Sequence, residues 1–132
     1  MIVDYHIHTK ASPDAEGSMQ QFAKQAKGKG INEIGFSEHV RLRHPRGFPD
    51  FFVQLMPTYV ESFLKFKQKS ELPVKLGVEI DFFSDQVEEI GEFVRKYPFD
   101  YVIGSIHVIG DGVIDDPSKV DEYLKRGYLK GL

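Results

Sequence analysis

Four of the five histidines in the chain fall into a pattern that could do chemistry. His6 and His8 stand two apart at the end of one apolar run, His39 follows a second, and His107 closes another; Glu79 and Asp81 end a run between them. Imidazole and carboxylate are the donors that suit zinc, manganese and iron, and one carboxylate can bridge two cations at the spacing used in two-metal hydrolysis. In an extended chain, His6-Ile7-His8 puts both imidazoles on one face and Ile7 on the other. Each residue also has an ordinary reading. A lone strand-end histidine is usually a satisfied polar residue, Asp14 and Glu16 read as a turn acid and a helix N-terminal acid, and Glu38 reads as a solvent-facing charge. His44, in a loop beside Pro45, is given no role. Those readings do not explain His6, His8, His39, Glu79 and His107 at four successive strand ends, so a metal site is expected.

The elements that must position these residues alternate. A strand over 2–7 leads into a loop with Ser12-Pro13-Asp14 and Glu16-Gly17. Ser18 reads as an N-cap, with Gln21 completing a capping box before a helix whose apolar stripe is Phe22, Ala23 and Ala26. A second strand over 33–37 precedes a Pro- and Arg-rich loop over 40–50. Pro57 opens a helix carrying Tyr59, Val60, Phe63, Leu64 and Phe66. A third strand covers 74–80, and Ser84 precedes a helix carrying Val87, Ile90, Phe93 and Val94. A fourth strand covers 100–107, and Asp116-Pro117 starts a last helix through Tyr123 and Leu124. The order βαβαβαβα predicts parallel strands joined by right-handed crossovers, with chemistry at their carboxyl ends.

Composition narrows the possibilities. At 132 residues, 41% hydrophobic and 28% charged, the chain is expected to form one globular domain over 1–132. It has no cysteine, which excludes disulfides, thiolate zinc sites, iron–sulfur clusters and cysteine nucleophiles. The formal charge of −3 gives no global reason to bind nucleic acid. No apolar run approaches a membrane span and Asp4 interrupts any leader-like start, so a cytoplasmic location is expected.

At Asp4-Tyr5-His6-Ile7-His8-Thr9, Ser12-Pro13-Asp14-Ala15, Ile34-Gly35-Phe36-Ser37-Glu38-His39, Gly77-Val78-Glu79-Ile80-Asp81 and Phe99 through His107, the sequence resembles the polymerase and histidinol phosphatase (PHP) superfamily. The wording is most similar to the histidinol-phosphate phosphatase branch. The resemblance implies a distorted (βα)7 barrel, of which this chain would be the first half, with up to three divalent metals (zinc, manganese or iron) at its rim. By position, His6, His8 and Glu79 would serve one metal, Glu79 would bridge to a second held by His107, and Asp14 with His39 would hold a third. Hydroxide generated there would attack the phosphorus of L-histidinol phosphate, a step of histidine biosynthesis.

Relatives of this kind continue through further ligands, whereas no histidine follows His107 here. The chain is therefore expected to be either a truncated product or one half of a barrel completed by another polypeptide, as a homo-oligomer or with a complementing chain. A non-catalytic metal-binding or regulatory remnant is the alternative, and an exonuclease-like phosphodiesterase domain is a third. The loop after His39 carries Arg41, Arg43 and Arg46, one of which is expected to orient the substrate phosphate, with Arg43 favoured.

Overall fold

A computed structural model describes residues 1–12, 14–43, 53–109, 112–113 and 117–127. β1 (Val3–Ile7), β2 (Glu33–Val40), β3 (Val74–Asp81) and β4 (Tyr101–Ser105) form one sheet in sequence order, every neighbouring pair parallel. Helices α1 (Met19–Gly28), α2 (Met56–Lys67) and α3 (Val87–Lys96) connect them. The four strands curl into a half-barrel, as the βα alternation predicts. No helix among the described residues is long and apolar enough to cross a membrane.

Strand alternation divides the sheet into two faces. Ile34, Phe36 and Val40 of β2, with Leu76, Val78 and Ile80 of β3, are buried in the core shared with the helices. Phe36 meets Phe63 and Phe66 of α2 edge-on, with ring centroids 6.4 and 5.9 Å apart. Each such side chain contributes on the order of 2 kcal/mol through its burial. The intervening residues face the inside of the curl, and the registers His39↔Glu79 and Asp81↔Ser105 set the polar ones in rows.

The capping box is present: Ser18 Oγ accepts from the Gln21 N–H at 3.3 Å, and the Gln21 side chain accepts from the Ser18 N–H at 2.8 Å. Several boundaries differ from expectation. β2 runs on to Val40, because the backbone at Glu38 and His39 stays in register with Val78 and Glu79. α3 starts without a side-chain cap from Ser84; Gln86 precedes it, buried, with its amide donating to the Arg43 carbonyl at 2.9 Å. β4 stops at Ser105, and a two-stranded antiparallel pair, β5 (Val108–Ile109) with β6 (Gly112–Val113), follows it. α4 (Val120–Arg126) begins after a 3-10 turn at Pro117–Lys119, and Asp116 lies outside the described residues.

One irregularity shapes the inner face. Between the pairs Asp4↔Ile34 and Ile7↔Phe36, β1 advances three residues while β2 advances two, which is a β-bulge. The bulge lets the consecutive Tyr5 and His6 both point inward while Ile7 stays in the core. Tyr101 stacks on Tyr5 at 5.2 Å and donates to the Tyr5 carbonyl at 2.7 Å, lying across Gly35 and Gly77.

Candidate metal centre

The carboxyl ends of the four strands bring four imidazoles to one carboxylate. Glu79, 3% exposed, places Oε2 at 2.9 Å from His6 Nε2, 3.1 Å from His8 Nε2 and 3.3 Å from His39 Nδ1, while Oε1 lies 3.4 Å from His107 Nε2. The period-2 expectation for His6 and His8 holds, with the two rings edge-on at 5.0 Å and Ile7 buried behind them. His8 in turn stacks on His39 at 4.1 Å. Asp14 Oδ2 reaches His39 from the β1–α1 loop, 3.1 Å from Nε2.

These separations bear on whether cations fit. Two ligands about 2.1 Å from one cation and roughly 90–110° apart lie about 3.0–3.4 Å from each other. The nitrogen-to-oxygen distances around Glu79 fall in or next to that range. Two groups, His6–His8–Glu79 and His39–Glu79–His107, each offer three donor atoms within 4.8 Å of one another and could hold a metal ion, with Glu79 common to both. A neutral imidazole has one lone pair, so His39, facing Glu79 with one nitrogen and Asp14 with the other, can ligate on one side only.

Asp81, noticed in the sequence beside Glu79 but given no role there, forms the layer behind the cluster. Its Oδ1 lies 2.6 Å from His107 Nδ1 and 3.2 Å from Ser105 Oγ, and its Oδ2 accepts from Arg41. A carboxylate on Nδ1 fixes the imidazole proton there and turns the Nε2 lone pair toward Glu79. Its signal in the sequence was the spacing Glu79-Ile80-Asp81, which puts both acids on one strand face. Asp81→Asn is expected to lower metal affinity about 10–100-fold with little change in the fold, read by metal titration beside circular dichroism.

The arginines separate. Arg41 sits at the cluster through Asp81, whereas Arg43 is engaged by Glu89 of α3, with Nε 3.2 Å from its Oε2, and by Asp85 in the turn before it, with Nη2 3.5 Å from Oδ2. Arg46 and His44 lie outside the described residues. Arg43 thus pairs with Glu89 and Asp85, and Arg41 with Asp81 behind His107.

Charge is distributed as a cation site requires. Burial pushes the Glu79 carboxyl up, but hydrogen bonds with His8 and His6 and the field of His39 outweigh it and bring it down to about 2. Contact with Glu79 holds His8 above the usual histidine range against the effect of burial. Burial likewise raises Asp14, and the His39 contact overrides it to hold that carboxyl below its ordinary value.

Comparison with known proteins agrees with the geometry. The PHP domain model matches residues 4–132. The histidinol-phosphatase of Lactococcus lactis is 33% identical over 134 residues, covering 96% of this chain and 49% of that protein. A probable histidinol-phosphatase of Deinococcus radiodurans is 29% identical, covering 99% and 51%. The crystal structure of histidinol phosphate phosphatase from L. lactis, complexed with zinc, L-histidinol and phosphate, superposes with a TM-score of 0.74 at 30% identity, over 88% of this chain and 44% of that one. The chain thus spans about half the length of the relatives it matches, and its half-barrel corresponds to part of their barrel. With the PHP domain model matched over residues 4–132, nearly the whole sequence, the chain belongs to the PHP domain family.

Proposed function

We propose that the chain carries part of a metal-dependent phosphomonoesterase site whose substrate is L-histidinol phosphate, hydrolysed to L-histidinol and phosphate. The observation that carries this reading is the convergence of four imidazoles on both oxygens of one buried carboxylate. The names of the relatives support the phosphomonoester over a phosphodiester. His6, His8 and Glu79 would hold one cation, Glu79 and His107 a second, and Asp14 with His39 a third, with zinc, manganese and iron all suited to these donors. Divalent cations bound there supply Lewis acidity toward phosphoryl oxygens and a water acidified to near neutral pH.

The chain's own groups do the rest. Glu79 stays ionised throughout the working pH range and offsets cationic charge in a buried setting. Asp81 holds His107 in the tautomer whose Nε2 lone pair faces inward. Arg41, steadied by Asp81, is the guanidinium placed to receive a phosphate oxygen at the rim.

The experiment is phosphate release from histidinol phosphate by the purified chain with zinc or manganese titrated in. Release that depends on metal and falls in His6→Ala/His8→Ala supports the reading. Metal binding without release favours the second reading, a metal-binding or regulatory domain that does not hydrolyse the substrate by itself.

Assembly follows from the sheet. Among the described residues β4 pairs with β3 alone, and Val102 within it and Ile106 just after it are 41% and 53% exposed. An open edge with apolar flanks favours pairing, and we propose a second copy of the chain as the partner. Sedimentation at micromolar protein is expected to show a dimer; a compact monomer would contradict it.

A further inference from the structure

Glu38, which reads in the sequence as a solvent-facing charge, is 1% exposed and lies on the helix side of β2, between two residues that face the inside of the curl. Its Oε1 accepts from the Thr9 N–H at 3.0 Å, and its Oε2 accepts from the Ser12 hydroxyl at 2.6 Å. Burying a carboxyl group is unfavourable unless its oxygens are hydrogen-bonded, and both oxygens of Glu38 have a partner. Both partners belong to the segment between His8 and Asp14. Ser12 N–H also donates to the Thr9 carbonyl at 2.8 Å, and the Ala15 N–H reaches the Ser12 carbonyl at 3.5 Å, closing a turn around Asp14. On the opposite face of the strand, the next residue, His39, meets Asp14 at 3.1 Å.

We propose that Glu38 is a positioning residue for the metal centre: it clamps the 9–12 segment from behind β2 so that Asp14 is delivered opposite His39. The proposal rests on reading Asp14 and His39 as ligands of one cation. Adjacent residues of a strand point to opposite faces, so one short stretch of β2 supplies both the ligand and the device that brings its partner to it. Asp14 itself stands on a loop and meets the site through His39. The contacts to Glu79 come from His6, His8, His39 and His107, outside the 9–12 segment, so the Asp14–His39 pair is the one the clamp bears on most.

Two measurements on the whole chain test this separately. In metal-free protein, Glu38→Leu is expected to speed amide hydrogen exchange about 10-fold or more at residues 9–17 and to leave β3 unchanged; unchanged exchange at 9–17 overturns the clamp. With zinc added, Glu38→Leu is expected to weaken one class of bound zinc about 10–100-fold, the same class lost in Asp14→Ala, while the class lost in His6→Ala is retained. Glu38→Gln, whose amide can accept from Thr9 and donate to Ser12, is expected to restore both readouts. Zinc binding equal to wild type in Glu38→Leu, or loss of both classes in a folded protein, overturns the positioning role. Should Glu38→Leu fail to fold, Ser12→Ala removes half the clamp without emptying the core and is expected to shift the same class in the same direction, an unchanged titration overturning the proposal. If wild-type protein binds no zinc, the metal reading falls and with it the positioning role, while the exchange experiment still decides the clamp.

Discussion

Glu79→Gln is expected to abolish metal binding at both donor groups around this residue, weakening affinity by more than about 100-fold. Loss of an outer partner of a ligand alone costs about 10–100-fold, and here the shared donor itself loses its charge. The substitution is close in shape, so the fold is expected to persist, and titration with zinc by calorimetry reads the loss. Metal-free protein gives a second signature. Glu79 is held down at about 2, so its contribution to stability is present above about pH 4.5 and lost as pH falls toward 2; His8 is raised, so its contribution is present below about pH 6.5 and lost as pH rises through its folded value. Wild-type metal-free protein should therefore be most stable between those ranges, and Glu79→Gln should flatten both slopes in urea unfolding. Metal binding in wild type weakens below about pH 6 as protons compete for the imidazoles, opposite in direction to the His8 contribution to metal-free stability. A Gln variant that bound zinc as tightly as wild type would remove Glu79 from the centre.

Gly77→Ala is expected to destabilise the chain by about 2–3 kcal/mol through a clash with Tyr101. A Cβ at this position would come within 2.6 Å of three carbons of the Tyr101 ring, and one at Gly35 within 2.7 Å of its hydroxyl and two carbons. The ring cannot swing away freely, since its hydroxyl is bonded to the Tyr5 carbonyl and its face stacks on Tyr5. Overpacking of this kind typically costs 1–3 kcal/mol. Because Gly77 pairs with Ser37 and Tyr101, two residues along β3 from Glu79, displacement of the strand should reach the metal centre as well. Pairing Gly77→Ala with Tyr101→Ala is expected to recover part of the loss, measured as a double-mutant cycle in chemical unfolding. Simple additivity of the two substitutions would show that the ring is not the obstacle.

The sequence made some of this legible and hid the rest for identifiable reasons. Strand ends carrying His6, His8, His39, Glu79 and His107 could be read because parallel topology alone brings them to one rim, and Ser18 with Gln21 is a local pattern that local geometry decides. The bulge at Tyr5 and His6 left no trace, since it depends on how β1 slides against β2. Glu38 looks like a surface acid until the loop that meets it is known, and the role of Asp81 shows only once His107 and Arg41 are placed against it. That Glu89 of α3 and Asp85 of the turn before it engage Arg43, while Asp81 engages Arg41, depends on contacts between segments about 40 residues apart. The small pair β5–β6 was missed because two-residue strands fall below any periodicity.

Equilibrium dialysis of the chain against zinc or manganese, with metal counted per polypeptide, tests the central claim most directly. The account predicts at least two cations per chain at pH 7.5, falling in His6→Ala/His8→Ala and lost around Glu79 in Glu79→Gln. Wild-type protein that held no more metal than the double histidine variant would contradict it.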